Sequence, residues 1–131
     1  DPYSQGSDFI FTEVFGDEVP KNWCYYFQKA DLARQTEDWE TIAEIGDEVL
    51  SSMKAAEASE YFVFIEAYIH LDRWSDAAAL IPRVHVEGKN LDPVLCTYIH
   101  KWLDDHGPEI PADYFIMMEA MNNAGCSMSK D

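Results

Sequence analysis

Basic residues are scarce in this chain: nine Lys and Arg stand against 25 Asp and Glu over 131 residues, a formal charge of -16. A phosphate backbone would be repelled by such a surface, so nucleic acid is excluded as a ligand. Long apolar runs are missing as well. Tyr61–Ile65 and Ala77–Pro82 are among the longest, far short of the roughly 20 residues that a membrane-spanning helix needs, and no direct membrane insertion is expected. The six glycines form no phosphate-binding loop, no Gly-x-Ser-x-Gly elbow and no dinucleotide fingerprint. Cysteine is limited to Cys24, Cys96 and Cys126, without a CxxC pair. That leaves one bridge plus a free thiol, or three reduced thiols, and the compartment open.

What is present is apolar and aromatic: 47% hydrophobic residues, with 4 Trp, 7 Tyr and 7 Phe. An acidic disordered tail lacks the residues to offset chain entropy, whereas this composition suits one compact domain. The sequence begins at Asp1 without a basic and hydrophobic leader, and reads as an excised domain or a processed product. Residues 1–19 carry Pro2, Gly6 and Gly16 around the short run Phe9, Ile10, Phe11, the pattern of an extended entry segment with one apolar anchor. Residues 20–131 read as a single helical domain.

Within it, apolar residues recur at helical steps and period-2 alternation is not sustained, so the fold class is all-α, with about six helices. The first is expected from Pro20 to about Gln35, through Trp23, Tyr26, Phe27, Ala30 and Ala33. Thr36 is the expected N-cap of a second helix ending near Ser52. A third spans Glu57–Leu71. A fourth, capped by Asp72, runs from Arg73 to about Ile81, where Pro82 discourages continuation. Asp92 and Pro93 open a fifth that Gly107 closes, and Pro111 and Gly125 bracket a sixth.

Shifted against itself by 35 residues, the chain matches Tyr26 with Tyr61, Phe27 with Phe62, Trp39 with Trp74, Ala43 with Ala78, and Val49 with Val84. With an aromatic opening helix A, and "EDWETIA" or "DRWSDAA" opening helix B, residues 22–85 resemble the tetratricopeptide repeat. The departures are Ile42 and Ile65, where that family uses small residues. The resemblance implies an α-solenoid of stacked antiparallel hairpins, with residues 91–125 as an out-of-register cap whose Tyr114, Phe115, Met117, Met118 and Met121 cover the open end. A second resemblance is carried by "NWCYYFQKADLARQTEDWE", residues 22–40. It is similar to the start of helical C-terminal domains that follow the membrane part of some bacterial multipass glycosyltransferases. It implies an appendage tethered to a membrane through a parent chain, with sugar-transfer chemistry outside this sequence.

No group of residues nominates a catalyst. His70, His85, His100 and His106 form neither HxxxH nor HExxH, so a metal would need ligands from distant helices, and no metal or cofactor is expected. Cys24 and Cys96 fall within aromatic stripes, as buried structural thiols do. Glu40, Glu44, Asp47 and Glu48 share one helix face and read as a solvated acidic surface. The concave surface implied by the repeat resemblance comes from Phe27, Gln28, Asp31, Arg34 and Gln35, then Phe62, Val63, Glu66, Ile69 and His70. Of these, Phe27, Gln28, Asp31, Arg34, Phe62, Glu66 and His70 are the candidate partner-binding residues. The expected function is a non-catalytic interaction or regulatory module for a polypeptide with basic and apolar side chains. The alternatives are a purely architectural or self-associating domain, or a small metal-dependent hydrolase.

Overall fold

The structure, a computed structural model, describes residues 21–107 and 114–126. Among the described residues it holds six α-helices and no strand: α1 (Trp23–Gln35), α2 (Trp39–Val49), α3 (Phe62–His70), α4 (Trp74–Glu87), α5 (Asp92–His106) and α6 (Tyr114–Asn123). One 3₁₀ turn, Ala58–Tyr61, leads into α3. The chain is all-α. It divides into two compact units, Asp1–Ala56 and Glu57–Asp131, a division that falls inside the stretch read from sequence as one domain. The entry segment 1–19 and the proline at 111 lie outside the described residues.

In the first unit α1 packs on α2, burying Trp23, Ala30 and Ala33 against Ile42, Ala43, Ile45 and Val49. The helix ends differ from expectation by one capping choice each. Asn22, not a proline turn, caps α1: its Oδ1 accepts from the Tyr25 N–H at 3.1 Å. Thr36 does not cap α2 but closes α1, its hydroxyl donating to the Ala33 carbonyl at 3.1 Å. Asp38 is the cap of α2, accepting from the Thr41 N–H at 3.2 Å and the Thr41 hydroxyl at 2.6 Å. A carboxylate suits that place because the helix N-terminus carries partial positive charge.

In the second unit α3 packs on α4 and on α5, and α6 packs on α4. Its core is Phe64, Ile65 and Ile69 from α3, Leu80, Ile81 and Val84 from α4, Leu95 and Ile99 from α5, and Met117 and Met121 from α6. Four expectations about helix ends are corrected. Glu57 opens a 3₁₀ turn through a capping box with Glu60, and the α-helix starts at Phe62. Helix α4 continues through Pro82 to Glu87. Pro82 is exposed, so its ring stands on the water side of the helix, while Ile81 and Val84 are buried, and their packing outweighs the bond that Pro82 cannot donate to the preceding turn. Neither Asp72 nor Asp92 caps a helix: Asp72 stands one residue before the N-cap Arg73, and Asp92 is already the first residue of α5. Each carboxylate meets an imidazole instead: Asp72 Oδ1 lies 2.5 Å from His106 Nε2, and Asp92 Oδ2 lies 2.5 Å from His85 Nδ1. Gly107 and Gly125 close α5 and α6 with φ of 109° and 84°, as the sequence predicts.

The turns joining α1 to α2 and α3 to α4 have the same conformation, 35 residues apart. Glu37 and Asp72 are both left-handed, with φ of 55° and 61°. The residues before them, Thr36 and Leu71, have φ, ψ of -105°, 9° and -94°, 8°; those after, Asp38 and Arg73, have -86°, 74° and -94°, 70°. The hydrogen bonds repeat as well: Glu37 N–H to Arg34 O at 3.0 Å and Asp38 N–H to Ala33 O at 2.9 Å recur as Asp72 N–H to Ile69 O at 3.1 Å and Arg73 N–H to Tyr68 O at 2.8 Å. Trp39 and Trp74 are thus each the first residue of the helix that follows. Their burial differs, since Trp74 is 1% exposed and Trp39 only half-buried.

Candidate functional site

The seven candidate residues fall on two units and are taken unit by unit. On α1, Phe27, Asp31 and Arg34 follow at helical steps along one face, with Gln28 beside them. Phe27 is half-buried, its ring stacked on Trp23 at 6.4 Å and 15°. Gln28, Asp31 and Arg34 are exposed, and Gln28 Nε2 donates to the Cys24 thiol at 3.5 Å. This corrects the reading of Cys24 as a buried thiol: it is exposed and unbridged. The carboxylates of Glu40, Glu44, Asp47 and Glu48 on α2 are exposed, a solvated acidic face.

On α3, Phe62, Glu66 and His70 lie one turn apart and are all half-buried. Val63 and Ile69, which the repeat resemblance put in the same groove, turn inward instead, at 6% and 0% exposure. Four residues per turn-step place 62, 66 and 70 on one stripe, and the intervening apolar residues on the core side.

Helix α5 brings two aromatics onto the Phe62 stripe that sequence reasoning missed. The Tyr98 and Trp102 rings stack at 5.7 Å and 27°, and Phe62 meets Tyr98 at 5.7 Å and Trp102 edge-on at 6.1 Å. Trp102 is buried at 5% exposure, whereas Tyr98 keeps 44%. The signal was in the sequence: a shift of 36 residues rather than 35 sets Phe62 against Tyr98. Contacts at both ends fix the direction of α5. Phe62 opens α3 beside Tyr98 and Trp102, and Asp72, just beyond α3, reaches His106 at the end of α5. The two helices therefore run side by side in the same direction.

Behind this face the unit is tied by a disulfide and an aromatic knot. Cys96 on α5 bonds to Cys126, just beyond α6, with the Cα atoms 5.4 Å apart, which removes Cys96 from the list of free thiols. The Trp74 ring packs edge-on against His106 at 5.2 Å and Tyr114 at 5.4 Å. Burial pushes the Tyr114 hydroxyl pKa above its ordinary value. The cap residues expected to share the cover divide: Met117 and Met121 are fully buried, but Phe115 and Met118 point outward at 69% and 39% exposure.

Cations in this protein sit on tyrosine. Arg83 lies over the Tyr61 ring at 4.6 Å, Arg73 over Tyr68 at 4.7 Å and Lys29 over Tyr25 at 5.3 Å. Around Tyr61 the contact extends further, as Arg83 Nη2 donates to the hydroxyl at 2.9 Å and the hydroxyl donates to Glu87 Oε1 at 3.0 Å. Among the described residues, no three His, Cys, Asp or Glu side chains gather where they could hold a metal ion, and no helix is long and apolar enough to cross a membrane. No protein-family model matches the chain, and neither a curated protein nor a solved structure matches it.

Proposed function

We propose that the chain is a non-catalytic protein-interaction module built of tetratricopeptide-like hairpins, whose helix-A faces receive a polypeptide with basic and apolar side chains. The observation that carries this reading is the duplicated turn. Residues 36–38 and 71–73 share backbone angles and hydrogen bonds at the 35-residue spacing of the sequence repeat, which supports repeated hairpins over an accidental match. Such repeats bury one face on their neighbours and leave the other available to a ligand. On each helix A the face in question pairs a half-buried phenylalanine with a carboxylate: Phe27 with Asp31 on α1, and Phe62 with Glu66 on α3. With 25 acidic against nine basic residues, the chain favours a cationic partner by long-range attraction.

The resemblance of residues 22–40 extends the reading: the module is carried by a larger membrane-associated protein of the glycosyltransferase kind. The Cys96–Cys126 disulfide favours an oxidising compartment for it. Panning a random peptide library on the immobilised full chain tests the interaction reading. Basic, apolar peptides should be enriched, their binding should weaken with added salt, and the double variant Asp31→Lys/Glu66→Lys should lose them. Failure to enrich any peptide overturns the reading.

A further inference from the structure

We propose that the exposed ring of Tyr98, backed by Trp102 and Phe62, receives the guanidinium of an arginine in the bound polypeptide. The inference rests on the interaction reading above and assigns the chemistry of one contact within it. Three observations from the second unit converge on it.

The first is pre-organisation. Tyr98 is 44% exposed, yet its ring is held from behind by stacking on Trp102 and from the side by Phe62. A ring fixed in this way offers its face to a ligand without first losing rotamer freedom. The second is charge. Residues 57–131 contain thirteen acidic and five basic residues, a net of -8, and the two helices that carry Phe62 and Tyr98 also carry carboxylates: Glu66 one turn beyond Phe62 on α3, and Asp105 two turns beyond Tyr98 on α5. Such a setting favours a cation and disfavours an anion.

The third is precedent inside the molecule. Of the five basic residues in this unit, Arg73 and Arg83 each cover a tyrosine face, at 4.7 Å and 4.6 Å. Over Tyr98 none is found among the described residues, although Lys101 lies only three positions away on α5. Among its described residues the unit thus shows two cation-covered tyrosines and one exposed tyrosine without a cation. Arginine fits better than lysine because its planar, weakly hydrated guanidinium stacks flat on a ring.

The test starts from the peptides enriched by the full chain. Each arginine is replaced in turn by citrulline, its neutral counterpart, and affinity is measured against wild type, Tyr98→Leu and Tyr98→Phe. One arginine-to-citrulline change should weaken binding to wild type and to Tyr98→Phe by about fivefold or more, and should have no effect on binding to Tyr98→Leu. On wild type, the indole N–H resonance of Trp102 should shift on titration with the arginine peptide and far less with the citrulline peptide. Equal citrulline effects on wild type and Tyr98→Leu overturn the contact, as does enrichment of peptides without arginine; in both cases the interaction reading stands. Should Tyr98→Leu lose helical circular dichroism, Tyr98→Met, which also removes the ring, takes its place under the same criteria. If no peptide is enriched, the interaction reading and this contact fall together.

Discussion

Breaking the Cys96–Cys126 bond should cost the second unit about 3–4 kcal/mol without changing its native fold. The figure follows from the sequence separation of 30 between the two cysteines: the chain entropy that such a cross-link removes from the unfolded state corresponds to about 3.7 kcal/mol at 25 °C. Native contacts should survive, because α6 is held independently of the bond. Met117 and Met121 are fully buried, α6 packs on α4, and Tyr114 sits edge-on against Trp74 at 5.4 Å. The perturbation is the double variant Cys96→Ala/Cys126→Ala, made on Cys24→Ser so that the exposed thiol takes no part. The assay is hydrogen exchange of the slowest amides in α3 and α4, where a 3.7 kcal/mol loss becomes a fall in protection of roughly 500-fold. Far-UV circular dichroism without denaturant should be unchanged. A fall of less than about tenfold would refute the entropic argument. Loss of helical signal in native buffer would refute the claim that side-chain packing alone keeps α6 on α4.

Three further outcomes follow from the backbone and the aromatic knot. Glu37 sits at φ 55°, so Glu37→Gly should stabilise the chain by about 0.5–1 kcal/mol in urea unfolding; Asp72→Gly, at φ 61°, should gain less because its carboxylate also holds His106. A Cβ at Gly88 would stand 2.8 Å from the Val84 carbonyl oxygen and 2.9 Å from the Ala58 and Leu91 side chains, so Gly88→Ala should lower stability by about 1–3 kcal/mol. Tyr114 is raised by desolvation, so its contribution is complete below the unfolded value of about 10 and is lost as pH rises through the higher folded value. Unfolding titrations across that alkaline range should show stability falling in wild type and falling less in Tyr114→Phe.

The all-α class was legible because helical periodicity is written in many residues at once and no single position decides it. The closings at Gly107 and Gly125 were legible too, since each depends on local chemistry, whereas the openings of α2 and α4 were read two residues and one residue early. The helix caps were not legible. Thr36 and Asp38 both offer oxygen two residues apart, and the turn conformation chooses between them. Asp72 and Asp92 look like caps, but the first stands one residue before the true N-cap, Arg73, and the second one residue after Leu91, an offset set by the backbone angles of the turn and not by residue type. Pro82 misled because the local cost of a proline is outweighed by the burial of Ile81 and Val84 beside it, which the residue itself does not announce. The cysteine pairing was open for the same reason: spacing alone does not say that α5 and the end of α6 meet. In the candidate site, the Phe62, Glu66 and His70 stripe was readable from the repeat, but Tyr98 and Trp102 fall one residue out of its register.

The outward side of α6 has a consequence for handling the protein. Phe115, Ile116 and Met118 are 69%, 39% and 39% exposed within one turn, and the helix carries a single ionisable acid, Glu119. Two molecules could touch there through apolar contact were it not for the mutual repulsion of chains that each hold a charge of -16. Colloidal stability should therefore be electrostatic, shrinking as the pH falls towards the isoelectric point of about 4.3 that the sequence gives or as salt shortens the screening length. Precipitation on mild acidification should begin at this helix, and a lysine in place of Phe115 should move the solubility minimum and raise the amount that stays in solution.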